Sequence, residues 1–264
     1  MEAASNYRPS KRVMLWTHPR TRSTAFELSM ASVPSFKVHH EIYTLAACFG
    51  PERHFPSQAP VLPGYTFKEV RKMLEANYPS YDVVFAKDGP ITFQNDMSYL
   101  PNGFIHSFLI RDPEKTIPSL FKLISRLQDS DHIKATLTWG SMQPLLDLSK
   151  YVQEELRQVP IVIDSDDLVK APSEILQAYC HTTGIPFQET MSNWKPGNIG
   201  HWHELLRNPD MIQSYEAAIA SSSFVAPSGN RHDAVANNDL PQELLKFIET
   251  LRPIYHQLRK LKIT

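Results

Sequence analysis

The sequence is poor in cysteine, with only Cys48 and Cys180 among its 264 residues. The two cysteines lie far apart in the chain. Neither has a second cysteine at the short spacing that is typical of a metal site. This usage favours a reducing compartment, and we expect a cytoplasmic protein.

The chain also lacks an excess of charge of either sign. It has 27 Lys and Arg residues against 28 Asp and Glu residues, which gives a formal net charge of −1. A general nucleic-acid binder would have a basic surplus, so we do not expect nucleic acid as a partner. Hydrophobic residues at 42% and charged residues at 21% are ordinary globular values, which disfavours a disordered chain or a coiled coil. Local basic clusters therefore indicate binding sites.

Long apolar runs are absent as well. No stretch approaches the roughly 18 to 20 apolar residues that cross a bilayer. Residues 1–11 have no apolar core of the kind found in a signal peptide. We therefore expect a soluble intracellular protein with no membrane partner and with flexible residues 1–10.

The stretch from Arg12 to Met30 is the richest in chemistry. Apolar residues 13–16 predict a buried strand, and a short polar turn then leads into a helix that begins near Ser23. The first turn of a helix exposes N–H groups and the positive end of the helix dipole, so this junction suits an anion. Two guanidiniums and three hydroxyls add further donors, from Arg20, Arg22, Thr21, Ser23 and Thr24.

The same turn has no glycine and no lysine. The Walker pattern G-x-x-x-x-G-K-[ST] is therefore not met, and this disfavours a standard ATPase or GTPase. A turn with no function is the alternative, because Ser and Thr are ordinary residues at the start of a helix. The strand that precedes the turn favours the anion site.

Strands alternate with helices along the chain, which is typical of a parallel sheet with helices on both faces. We therefore predict an α/β fold of three layers, α/β/α, as a single domain over residues 1–264. The predicted strands are 13–16, 36–40, 81–87, 103–111 and 160–164. The predicted helices are 23–32, 66–78, 113–127, 132–157 with an interruption at Pro144, 172–183, one that ends near Ala220, and 241–261 with Asp239 as its cap. Residues 43–65, rich in glycine and proline, predict a lid or a substrate loop.

A second informative stretch begins at Arg111, at the end of the fourth predicted strand. Ser119 follows eight positions later, about two turns into the next predicted helix. On its own the pattern is weak, since an arginine at a strand end is often paired with a neighbouring aspartate such as Asp112. The pattern is more informative in combination with the stretch from Arg12 to Met30.

Together these stretches resemble the sulfotransferase superfamily, whose members use 3′-phosphoadenosine 5′-phosphosulfate (PAPS). The loop of that family, P-[KR]-S-G-[ST]-T between a strand and a helix, matches residues 19–24. Its R-[DN]-P-x5-S motif matches Arg111 and Ser119, and residues 165–172 are similar to its Y-E-D-L-x-x-x-P motif. The sequence looks most like the PRS-x-ST branch of bacterial and fungal proteins, with Arg22 at the position of the family's glycine.

The resemblance implies the roles of the site residues. Arg20 would stabilise the leaving 5′-phosphate, together with Thr21, Arg22, Ser23 and Thr24, and Arg111 and Ser119 would hold the 3′-phosphate. The donor would be PAPS, the product 3′,5′-ADP, and no metal would be required. Glu41 is the first candidate for the base that takes the acceptor proton and His40 is the second. His39, Lys87 and Asp88 are candidates for contact with the substrate.

Other readings stay open at this point. One is a P-loop kinase or hydrolase, which the missing lysine disfavours. Another is a nucleotide-binding protein that has lost transfer activity or has been diverted to a different reaction. His201 and His203 could also be zinc ligands, although no third ligand is evident from spacing. A small molecule with a hydroxyl or an amine is the expected acceptor, and the oligomeric state is open.

Overall fold

The computed structural model describes residues 11–55, 57, 59–94, 96–127, 131–224 and 240–263. The prediction of flexible residues 1–10 and the predicted cap at Asp239 lie outside these residues.

Five parallel strands form the central sheet, in the order β2-β3-β1-β4-β5. In register, Trp16 of the central strand lies between Asp88 and Phe108 of its two neighbours. Because all the strands are parallel, their carboxyl ends lie at one edge of the sheet, where ligands bind in open α/β folds. The strands are β1 (Lys11–Thr17), β2 (Phe36–His40), β3 (Val83–Asp88), β4 (Ile105–Ile110) and β5 (Ile161–Asp164).

The helices cover both faces of the sheet. Val13 and Leu15 pack into the hydrophobic cluster that includes α1 and α8, whereas Met14 and Trp16 pack into the opposite cluster, which includes α2, α3, α6 and α11. This alternation confirms the predicted α/β fold. The helices are α1 (Ser23–Ala31), α2 (Ile42–Phe49), α3 (Phe67–Glu75), α4 (Pro113–Leu127), α5 (His132–Trp139), α6 (Gln143–Glu154), α7 (Ser165–Lys170), α8 (Pro172–Thr183), α9 (Pro209–Ile212), α10 (Glu216–Ile219) and α11 (Gln242–Arg259).

The prediction of a loop from residue 43 to residue 65 is wrong for its first part, which is helix α2. Residues 42–49 are apolar or small and almost all buried, and none of them is a glycine or a proline. The prolines and glycines that suggested a loop all lie from Gly50 onward. The irregular segment is therefore shorter than predicted.

A second correction concerns the helix predicted to end near Ala220. The structure has two single-turn helices there, Pro209–Ile212 and Glu216–Ile219. Pro209 opens a helix well but interrupts one that is already running. Across the described residues, the helices are too short or too polar for a membrane span.

Candidate active site

The turn between β1 and α1 has an unusual backbone. Arg20 and Arg22 both have φ of 69°, in the left-handed region that glycine adopts without strain. Each such residue costs on the order of 1 kcal/mol relative to glycine. Arg22, which the motif places at the family's glycine position, therefore keeps the backbone conformation of a glycine while it adds a guanidinium.

The first turn of α1 is open to an anion. Arg22 is the N-cap residue, no side chain caps the helix, and the first turn contains no acidic residue. The first intrahelical bond runs from the N–H of Phe26 to the carbonyl of Arg22. The N–H groups ahead of Phe26 therefore lack the usual side-chain cap, and a positive guanidinium lies where an Asp or Ser commonly does.

Hydroxyl groups inside the turn have two different uses. Thr21 is fully buried, and its hydroxyl donates to the carbonyl of His18 at 3.1 Å and contacts the hydroxyl of Thr17. Thr21 therefore holds the shape of the turn. Ser23 and Thr24 lie in the first helical turn and keep a small exposed fraction, 8% and 7%.

The two sequence motifs meet at Arg20. Its Nε donates to the hydroxyl of Ser119 at 3.0 Å, and its Nη1 donates to the carbonyl of Ser214 at 3.0 Å. The Nη1 of Arg111 donates to the backbone carbonyl of Arg20 at 2.9 Å. The structure therefore brings Arg20, Arg111 and Ser119 together, as the predicted nucleotide site requires.

Lys87 and Glu41 form an ion pair beside this turn. The Nζ of Lys87 contacts Glu41 Oε1 and lies 3.5 Å from the hydroxyl of Thr24. The hydroxyl of Tyr215 donates to Glu41 Oε2 at 2.6 Å. Burial favours the neutral carboxyl, but the Lys87 ammonium, His40 and the hydrogen bonds from Lys87 and Tyr215 together hold the pKa of Glu41 below its ordinary value. Glu41 is therefore ionised, with both oxygens engaged.

A fully buried carboxylate, Glu27 of α1, lies at the centre of a polar cluster. His201 Nε2 and Trp202 Nε1 each lie 2.8 Å from Glu27 Oε1, and His40 Nδ1 contacts Glu27 Oε2. Burial opposes ionisation, but the contacts with His40 and His201 hold the pKa of Glu27 well below its ordinary value. The ring of His40 stacks on Trp202 with centroids 3.7 Å apart. His40 is thus enclosed by the protein.

Sequence reasoning missed Glu27 and Tyr215. Glu27 is the one charged residue in the α1 sequence STAFELSMA, and a carboxylate on an otherwise apolar and small helix was the available signal. Tyr215 had no such signal. It lies 174 positions from Glu41 and reaches it through tertiary structure.

The side chains of Asp88 and His39 make their contacts with other elements of the fold. Asp88 has no exposed surface, and it accepts hydrogen bonds from the N–H groups of Tyr43 and Gly89 and from the hydroxyl of Thr44. It therefore caps α2, and burial raises the pKa of Asp88 to about 7. His39 packs against Tyr78 with ring centroids 5.4 Å apart, whereas His40 contacts α1. Alternation along β2 thus places the two histidines on opposite faces of the sheet.

A cavity of about 250 Å³ is lined by His54, Phe55, Ile91, Gln94, Thr138 and Pro144. A narrow space of about 10 Å³ shares Ile91 and Pro144 with it and reaches Thr17, His18 and Pro19. Neither lining includes Glu41, His40 or Lys87. In the described part of the chain, no group of three or more His, Cys, Asp or Glu residues could hold a metal ion.

Comparisons with known proteins agree with this architecture. A family model described as a sulfotransferase domain matches residues 11–254. The structure is similar to mouse sulfotransferase SULT7A1 complexed with PAP, with a TM-score of 0.53 and 11% identity, over 97% of this chain and 90% of the mouse chain. The sulfotransferase domain of a Synechococcus olefin synthase gives a TM-score of 0.49 and 15% identity, over 93% and 96% of the two chains.

A curated plant protein is also similar. It is the branched-chain-amino-acid aminotransferase-like protein 1 of Arabidopsis thaliana, 33% identical over 94 residues. The match covers 36% of this chain and 15% of the plant protein. The chain therefore spans only a small part of that relative.

Proposed function

Since the chain belongs to the sulfotransferase family, as the match over residues 11–254 shows, we propose that it transfers a sulfuryl group from PAPS to the hydroxyl or amine of a small molecule. The observation that carries the proposal is the contact of Arg20 with Ser119 and Arg111. The mouse sulfotransferase of the same fold, described as a complex with PAP, supports a nucleotide of this type.

The residues at the turn fit a nucleotide with phosphates at both ends. The uncapped first turn of α1, with Ser23 and Thr24, would face one phosphate, and the guanidiniums of Arg20 and Arg22 would add positive charge there. Arg111 and Ser119 would hold the 3′-phosphate. Thr21 contributes through the shape of the turn, because its hydroxyl is used inside it.

When PAPS is bound, an acceptor oxygen forms a bond to its sulfur while the bond from sulfur to the bridging oxygen of the 5′-phosphate breaks, and that oxygen keeps the electron pair. Arg20 lies at the turn where this negative charge would develop, and a preorganised cation there lowers the barrier. Lys87, held beside Thr24 by Glu41, is a second cation at the same edge of the sheet.

The proton of the acceptor must pass to a base. Glu41 stays the predicted base ahead of His40, because the ring of His40 is enclosed by Trp202, Tyr215 and Glu27. For Glu41 to act, the acceptor hydroxyl would replace that of Tyr215 on Oε2. The lowered pKa of Glu41 keeps it ionised but makes it a weak base.

Radiolabelled transfer tests the proposal. The chain is incubated with PAPS labelled in the sulfuryl group and with a pool of small hydroxylated metabolites. We expect label in a small molecule together with 3′,5′-ADP, and neither in the Arg20→Ala variant. Binding of 3′,5′-ADP with no transfer to any acceptor would instead establish a nucleotide-binding protein without transferase activity.

A further inference from the structure

His18 is a buried histidine that the proposed reaction leaves without a role. It directly follows Thr17, the last residue of β1, and only 4% of its surface is exposed. Neither of its ring nitrogens has a hydrogen-bond partner among the residues that the structure describes. Burying an imidazole without partners is costly, and such groups in native structures commonly meet water or a ligand.

His18 is one of the residues that line a narrow space beside a larger cavity. The narrow space of about 10 Å³ at Thr17, His18 and Pro19 is close to the size of one water molecule or one hydroxyl group. It shares Ile91 and Pro144 with the cavity of about 250 Å³. The two spaces are therefore neighbours, and the narrow one lies at the start of the turn.

The walls of the cavity indicate what could enter it. Phe55 of the cavity stacks on Trp139 of the narrow space, with ring centroids 4.2 Å apart and an angle of 27° between the rings. Ile91 and Pro144 complete an apolar lining near the turn, while His54, Gln94 and Thr138 add polar groups farther out. A lining of this kind suits a compact molecule with a flat apolar body and one polar end.

We propose that His18 binds the acceptor, receiving a hydrogen bond from its hydroxyl in the narrow space beside this cavity, next to the turn that would hold the donor. The inference rests on the proposed sulfuryl transfer and deepens it. In this arrangement His18 takes the place of Glu41 as the base, because the single hydroxyl proton moves to a ring nitrogen of His18 as the oxygen–sulfur bond forms. Glu41 then serves to hold Lys87, and the assignments to the nucleotide are unchanged.

The neutral state of His18 suits the hydrogen bond from the hydroxyl, and its low pKa makes it, like Glu41, a weak base. Burial, and then the charge of Arg111, lower the pKa of His18 to about 3. The ring is therefore neutral near pH 7 and keeps a lone pair on one nitrogen. A neutral ring selects a hydroxyl, which donates a hydrogen bond, over an ether of the same shape, which cannot.

Two naphthalene probes test this selection in the full chain saturated with 3′,5′-ADP. 2-Naphthol has a hydroxyl hydrogen and 2-methoxynaphthalene does not. We expect 2-naphthol to bind about fivefold to tenfold more tightly, as one hydrogen bond predicts. In His18→Phe this preference should disappear, and in His18→Gln, which keeps an acceptor atom, part of it should remain. His181→Gln, at an exposed histidine of α8, is the control that should behave as the parent.

The affinity for 3′,5′-ADP separates the possible failures. We expect it to stay within about twofold in both His18 variants, which also shows that the turn is folded. An equal preference in parent and His18→Phe, no preference in the parent, or a loss of nucleotide affinity in both variants would overturn the role of His18. A parent chain that does not bind 3′,5′-ADP would instead overturn the proposed function on which that role depends.

Discussion

The guanidinium of Arg20 donates from Nε to the hydroxyl of Ser119 across 3.0 Å, and this contact joins two motifs that lie 99 positions apart in the sequence. Each motif on its own is a common arrangement at the end of a strand. Their meeting in space favours one site in which the two motifs hold the two ends of a single nucleotide.

Arg20 and Arg111 should differ in what their loss affects. In the proposed reaction Arg20 stabilises the charge that develops on the leaving 5′-phosphate, so Arg20→Ala should lower turnover by about 10²–10³-fold. Arg111→Ala should mainly weaken 3′,5′-ADP binding, by about 10-fold or more, since a charge-assisted contact is lost. Steady-state kinetics and calorimetry measure the two effects. Arg126→Ala, at an exposed site on α4, is the control. Parent-like behaviour of both variants would refute the assignment.

Ser119 should act on the 3′-phosphate alone. Ser119→Ala should weaken 3′,5′-ADP binding by about fivefold to tenfold, the effect of one hydrogen bond. Binding of 5′-AMP, which lacks the 3′-phosphate, should stay unchanged. Ser125→Ala removes a hydroxyl from an exposed position on the same helix and serves as the matched control. An equal loss for both nucleotides would place Ser119 elsewhere in the site.

The Lys87–Glu41 pair should show strong coupling in stability. Lys87 is 1% exposed and Glu41 17%, so removal of either partner leaves a charge largely out of water. Lys87→Met and Glu41→Gln should each destabilise the fold, and the double variant should lose about 1–3 kcal/mol less than the sum of the two. Urea unfolding measures the three free energies. Additivity within about 0.5 kcal/mol would show that the pair is not coupled.

His106 should contribute to loss of stability in acid. Its Nδ1 accepts a hydrogen bond from Trp16 Nε1 at 3.0 Å, so the folded state needs that nitrogen unprotonated, and burial lowers the pKa of His106 to about 4. The unfolded chain binds a proton near pH 6.5 and the folded chain does not, so stability falls as the pH drops from 7 to 5. One such group accounts for about 2 kcal/mol over this range.

His106→Asn tests this, because the Asn side-chain oxygen can still accept from Trp16 but does not titrate. Urea unfolding at pH 7 and pH 5 should show a smaller loss of stability in the variant than in the parent. The same loss in both proteins would assign the acid sensitivity to other groups.

Much of the fold could be predicted from local sequence. The strand at 36–40 and the helices at 113–127 and 172–183 have the predicted bounds, since apolar periodicity and Pro113, Pro172 and Gly184 mark them. Helix α2 could not be predicted in this way, because the glycines and prolines from Gly50 onward indicate a loop for the whole segment. Its N-terminus is capped from outside by Asp88, 45 positions away from Tyr43.

The candidate site likewise contains residues that local sequence predicts and residues that it does not. Arg20, Arg22, Arg111 and Ser119 are found in motifs whose spacing is local to one strand and the helix after it. Tyr215, and the two Glu27 partners His201 and Trp202, come from a region about 175 positions away from the residues they contact, so local sequence does not predict these contacts. His18 directly precedes the motif in the sequence, but only the structure shows that its ring nitrogens have no hydrogen-bond partner among the described residues.

Calorimetry of the parent chain is the most direct test of the proposed site for 3′,5′-ADP. With no metal added, 3′,5′-ADP should bind tightly, and ATP with Mg²⁺ should bind much more weakly, because the turn has neither the Walker lysine nor its glycines. Arg111→Ala should reduce the first affinity and leave the second little changed. A preference for ATP with Mg²⁺ would contradict the proposal that this site binds PAPS and 3′,5′-ADP.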